Sequence, residues 1–89
     1  MEIEVRKPTE EEAKLFKTYP TWECEPSEFP WTYGDTEICL MVEGQVTVTT
    51  DEGEVSFGAG DLVRFPAGLS CTWKVTERVR KHYTFKEAS

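Results

Sequence analysis

The stretch YGDTEICLMVEGQVTVTTDEGEVSFGAGDLVRFPAGLSCTW, residues 33–73, decides the fold. Short β-type runs lie in and just beyond it: TEICLMVE (36–43), QVTVTT (45–50), EVSF (54–57), DLVRF (61–65) and SCTWKV (70–75). Turn formers separate them: Gly44, Asp51-Glu52-Gly53, Gly58-Ala59-Gly60-Asp61 and Pro66-Ala67-Gly68. Val46 and Val48 alternate with Thr47 and Thr49, the period of a half-buried strand. The run 36–43 is apolar on both faces, as in a strand covered on both sides. Short strands at this spacing predict an antiparallel sandwich or barrel.

Upstream, residues 1–6 alternate Ile3 and Val5 with Glu2, Glu4 and Arg6, which reads as an edge strand ended by Pro8. Thr9-Glu10-Glu11-Glu12 has the pattern of a capping box, and its three glutamates suit a helix N-terminus. One short helix is expected to end near Thr18. Residues 19–34 hold Pro20, Pro26 and Pro30 among many rings. They predict a strand near 21–24, a turn at 25–27 and an extended piece over 28–33. Phe29, Trp31 and Tyr33 share a face there. Downstream, two strands are expected over 70–76 and 78–85, with residues 86–89 as a frayed tail.

Eighty-nine residues make one domain, with 1–19 as N-terminal strand and helix and 20–86 as the barrel. Such a chain buries roughly 60–65% of its unfolded surface, so the core is modest. That small core and the two-faced strand 36–43 favour a homodimer. Ten Lys and Arg stand against seventeen Asp and Glu, a net charge of −7. This balance argues against nucleic acid, which needs clustered positive charge. The acidic excess lies in the first third, while Arg78, Arg80, Lys81 and Lys86 sit at the end. These are two solvated faces or a self-complementary contact between protomers. Cys24, Cys39 and Cys71 are odd in number and lack metal spacing, which suits reduced thiols in the cytoplasm. No run is apolar enough for a membrane span and no signal peptide is visible; a trimmed transit peptide stays open.

Glu37, six residues, then Gly44 resembles the end of the first cupin motif. Gly60, five residues, Pro66, one residue, Gly68, two residues, Cys71 resembles the second. The fifteen residues between Gly44 and Gly60 match the short spacing of compact cupins. The chain is therefore similar, over about residues 20–86, to a small single-domain cupin. Its relatives by resemblance are the ureidoglycine aminohydrolase and ethanolamine-utilisation cupins. The resemblance implies an all-β, cupin-type antiparallel β-barrel, a double-stranded β-helix or jelly roll, with one short N-terminal helix. In such cupins a metal is usually held by two His and one Glu of the first motif and a His of the second. Here Trp31 and Tyr33 occupy the first two positions, Glu37 keeps the third, and Cys71 replaces the fourth. No cofactor is expected; a divalent ion, if present, would fall to Glu37, Cys71 and Tyr33.

The candidate pocket consists of Trp31, Tyr33, Glu37, Cys71, Trp73 and Tyr83. The resemblance suggests a substrate-holding role for Tyr83. Glu37 is expected at the barrel mouth, solvated or hydrogen-bonded to Tyr33; if buried, it could act as acid or base. Cys71 is a nucleophile or a buried small hydrophobe, and a nearby carboxylate and aromatic wall disfavour its thiolate. On the last strand Val79, Lys81, Tyr83 and Phe85 share one face. The apolar set should face the core, which places Tyr83 inward and His82 outward. The expected function is binding of a small amine- or ureido-type metabolite without a conventional metal. The alternatives are a small aminohydrolase- or isomerase-like enzyme using Glu37 and Cys71, and a structural or regulatory dimer with no ligand.

Overall fold

The computed structural model describes residues 2–86. Two long antiparallel strands form its spine: β4 (Thr36–Thr50) and β7 (Ser70–Lys86). The shorter strands β1 (Glu4–Arg6), β2 (Thr21–Cys24), β3 (Ser27–Thr32), β5 (Gly53–Gly58) and β6 (Leu62–Phe65) flank it, with one helix, α1 (Glu10–Phe16). The seven strands are hydrogen-bonded into one sheet, with order β1-β6-β4-β7-β2; β3 also pairs with β7 and β5 with β4. Each long strand thus has two partners along its outer edge. The first half of β4 pairs β6 and its second half pairs β5. The first half of β7 pairs β3 and its second half pairs β2.

The change of partner falls where the β4–β7 register shifts, between Met41 and Val46. This is the point at which Gly44 was expected to make a turn and residues 70–85 were expected to be two strands. Instead the chain runs through, and Gly44 forms a bulge at φ 100°. A bulge bends and twists its strand without ending it, and so lets one sheet close on itself. The bend brings the two halves face to face. Cys39, Met41, Val63 and Phe65 from one half meet Val46, Val48, Phe57, Trp73 and Val75 from the other in a single core.

The tight turns support this closure. At Pro66-Ala67-Gly68-Leu69 the Leu69 amide donates to the Pro66 carbonyl, and Gly68 has φ 86°, as the third position of such a turn requires. Asp61 accepts from the Gly58 amide at 2.9 Å and from Lys7 Nζ at 2.8 Å. Burial acts upward on the Asp61 carboxyl, but these two bonds outweigh it and hold the group below its ordinary value. Pro30 sits in β3, which pairs only with β7, so its missing amide breaks no second ladder.

Helix α1 starts with the expected reciprocal cap. The Glu12 amide donates to Thr9 Oγ1 at 3.2 Å and the Thr9 amide to Glu12 Oε1 at 2.9 Å. Arg6 binds the same carboxylate and, first among several causes, holds Glu12 at about 2. Since the folded value lies below the ordinary 4.5, this contribution is present above that pH and is lost as pH falls toward 2. Thr9→Ala is expected to lower stability by about 1 kcal/mol in urea unfolding. An unchanged midpoint would show that the helix does not depend on its cap.

The helix lies on the outside of the barrel. Phe16 packs with Leu40 and Leu62, and Tyr19, Ala13 and Ile38 surround them. The inner face of strand 36–43 is buried at Glu37, Cys39 and Met41, and its own chain covers the outer face at Leu40 and Ile38, while Val42 stays 41% exposed. The charge asymmetry also has an answer within the chain: Arg78 pairs with Glu23 and Glu25, and Arg80 with Glu23. Residues 87–89 of the expected tail lie outside the described residues, and Lys86 closes β7. Among the described residues, no helix is long and apolar enough to cross a membrane.

Candidate functional site

Apart from the exposed Glu77 beside the register shift, the odd-numbered residues of β7 from Cys71 to Lys81 point into the barrel, and this alternation builds the floor of a cavity. Cys71, Trp73, Val75, Val79 and Lys81 are all buried. Lys81 is the exception among these inward side chains, since it carries a charge. It lies opposite Met41 on one side and Trp22 on the other. Glu37, on the inward face of β4, meets it: Lys81 Nζ donates to Glu37 Oε2 at 2.5 Å. Both side chains are 6% exposed. The ammonium also sits 5.0 Å from the Trp22 ring centre and 4.6 Å from that of Trp73. Ring faces are negative and carboxylates are anionic, so both compensate for the lost hydration of the cation.

This corrects the expectation for Glu37. It is neither solvated nor hydrogen-bonded to Tyr33, and its partner is Lys81. Tyr33 instead accepts from Trp73 Nε1 at 3.0 Å and stacks on Phe65 at 4.8 Å. Its main chain is fixed by the Pro66 turn, with Tyr33 N donating to Leu69 O and Gly68 N donating to Tyr33 O. Burial, and next the Glu37 charge, push the Tyr33 phenol well above its ordinary range, so it stays protonated.

The cavity has a volume of about 210 Å³. Trp22, Phe29, Trp31, Tyr33, Trp73, Tyr83 and Phe85 form its walls, and Glu37 and Lys81 its charged part. Trp31 and Phe85 are each about half exposed and mark the mouth. All three tryptophans of the chain line this one space. Five of the six residues expected in the pocket therefore surround it: Trp31, Tyr33, Glu37, Trp73 and Tyr83.

Cys71 does not. It is buried opposite Trp31 in the β3–β7 ladder, and its Sγ donates to the Trp31 carbonyl at 3.6 Å. Burial raises its thiol above the ordinary value, and Cys39 is pushed up to about 12, again mainly by burial. Neither is an activated thiolate. Iodoacetamide at pH 8 should label the partly exposed Cys24 first, and Cys71 at least about tenfold more slowly than a free cysteine. Native labelling of Cys71 as fast as Cys24 would contradict this placement. His82 points away from the cavity, with Nδ1 3.0 Å from the Tyr19 carbonyl.

The sequence reading missed Trp22, Phe29, Phe85 and above all Lys81 as cavity residues. A signal for Lys81 existed, because it shares the face of Val79 and Tyr83 that was assigned inward. An inward lysine requires an acid, but alternation alone does not say which acid lies within reach. Trp22 and Phe29 depend on register: Trp22 pairs with Lys81, and Phe29 with Trp73, on which it stacks at 6.2 Å.

Three of the four positions that resemble a cupin ligand set have polar partners within the chain. The Glu37 carboxylate is engaged by Lys81, the Tyr33 hydroxyl by Trp73, and the Cys71 thiol by a main-chain carbonyl. Among the described residues, no group of three His, Cys, Asp or Glu is placed to hold an ion.

A family model described as the EutQ-like cupin domain matches residues 11–83. Among solved structures, a DUF861-family protein from Thermotoga maritima is 48% identical and superposes with a TM-score of 0.91. That match covers 96% of this chain and 100% of the other. The EutQ protein of Clostridium difficile is 26% identical, with a TM-score of 0.70 over 78% of this chain and 55% of that one. A putative ethanolamine utilization protein Q from Salmonella typhimurium is 28% identical, with a TM-score of 0.69 over 78% and 56%. The chain thus spans about half the length of these two EutQ proteins. No curated protein matches it.

Proposed function

The chain belongs to the EutQ-like cupin family, and on that premise we propose that its barrel binds a small neutral metabolite carrying a ureido or amide group. The observation that carries this reading is the Glu37–Lys81 pair at the base of an aromatic cavity. The pair has no net charge, yet it offers a carboxylate acceptor and an ammonium donor side by side. A ureido or amide group presents an N–H and a C=O with the same spacing of roles. Its planar π face suits Trp22, Trp73 and Phe29. A volume of about 210 Å³ is below that of drug-sized sites, so the ligand is small.

Lys81 argues against the amine half of the sequence-based expectation. A cationic ligand would have to displace an ammonium already bound to Glu37, or sit beside it in a desolvated site where like charges repel. Catalysis by Glu37 and Cys71 together loses its support, because Cys71 is not in the cavity wall. The reading is also metal-free: recruiting Glu37 to an ion would strand the Lys81 charge.

A thermal-shift series tests this. N-methylurea and small amides at millimolar concentration should raise the melting temperature, and alkylammonium ions of matched size should not. Ligand in large excess over its Kd stabilises by a few kcal/mol, which such a series resolves. Equal stabilisation by the ammonium ions would sink the reading.

A further inference from the structure

The binding reading uses Lys81 as a hydrogen-bond donor, but its amine is also a nucleophile. Among the described residues it is the one amine that lines the cavity. It is held in a partly desolvated, ring-walled space that opens past Trp31 and Phe85. A carboxylate stands 2.5 Å from it. A lysine attacks carbonyl carbon once its proton is taken up, and Glu37 is the group placed to take it. We propose that Lys81 forms an imine with small aldehydes or ketones that enter this cavity, with Glu37 carrying the protons.

The steps balance within the pair. Glu37 takes one proton from the Lys81 ammonium. The freed nitrogen lone pair attacks the carbonyl carbon; the C–N bond forms and the π pair moves to oxygen. The nitrogen gives a proton to that oxygen, which yields a carbinolamine. Glu37 then returns its proton to the hydroxyl as the C–O bond breaks and water leaves. The nitrogen lone pair forms the C=N bond. The product is an iminium cation beside the Glu37 carboxylate, so the charges of the starting pair are restored. Trp22 and Trp73 face the cation at the beginning and at the end. The apolar walls limit the water that would hydrolyse the imine.

This inference rests on the reading that the cavity admits small molecules, and the test separates the two. The native protein is incubated with propanal and cyanoborohydride, and propylated lysines are quantified by peptide mass mapping. Lys81 is buried, whereas Lys74 is exposed on the same strand. Lys81 should be modified about tenfold faster than Lys74, because its amine is positioned and has a proton acceptor. N-methylurea should slow the reaction at Lys81 and leave Lys74 unaffected. Modification of Lys81 no faster than Lys74 overturns the proposal. If that occurs while N-methylurea still stabilises the protein, the imine falls and the binding reading stands. Rapid modification of Lys81 without stabilisation by ureas supports the imine and removes the ureido ligand.

Discussion

Lys81→Met lowers the free energy of unfolding by about 3–5 kcal/mol, and Glu37→Gln does so by a similar amount. The reason is the burial of both partners, each 6% exposed, in a wall of rings. Removing either one leaves the other charge in a site where water cannot restore its hydration. Against a total of about 4–13 kcal/mol for a chain of this length, either change brings the protein near its threshold. The double variant Glu37→Leu/Lys81→Met should behave differently. Both charges are gone and apolar side chains of similar volume fill the space, so stability returns to the starting value or exceeds it by about 1–4 kcal/mol. Guanidinium unfolding of the wild type, Glu37→Leu, Lys81→Met and the double variant forms a complete cycle. Single-variant losses below about 1 kcal/mol would mean that the pair is solvated, as exposed pairs are. The same double variant should lose its ligand, which separates the site's role from the fold's.

Gly44→Ala is the second severe change, with an expected loss of about 3–5 kcal/mol. Gly44 has φ 100°, which side chains resist. An added Cβ would collide with the Arg78 carbonyl oxygen and lie 2.8 Å from the Val79 Cα. These are backbone atoms of β7, so relief requires the two spine strands to part where the barrel bends. By contrast, Gly53→Ala meets no atom within 4 Å, although its φ of 130° is also strained. It should cost less than Gly44→Ala by the whole contact contribution. Equal losses at the two positions, read by thermal unfolding, would show that the bulge can open without strain.

These two residues also show what the sequence could convey. The spacing of Gly44, Gly60, Pro66 and Gly68 carries the barrel, because each marks a backbone shape that other residues avoid. Yet a glycine at positive φ fits a turn and a bulge equally well, and only the β4–β7 register distinguishes them. Period-two alternation placed Tyr83 and Lys81 on the inward face together. It gave no means of seeing that Glu37 lies within reach of Lys81, because the two are 44 residues apart and meet only through strand pairing. Cys71 was drawn into the site by a motif position. Its inward direction was legible, but its distance from the cavity wall was not, since the Trp31 main chain takes up its thiol. Trp22 and Phe29 were legible as rings in need of cover and became cavity walls through their pairing with β7.

All three tryptophans line the cavity, so their indole N–H resonances report its occupancy with little background. The most direct test of a neutral-ligand site built on the Glu37–Lys81 pair is a two-dimensional NMR titration of these three signals. N-methylurea should move the indole signals of Trp22, Trp31 and Trp73 in a saturable way, and ethylammonium at the same concentration should leave them in place. Saturable shifts with ethylammonium equal to those with N-methylurea, or no shift with any small amide or urea, would contradict the account.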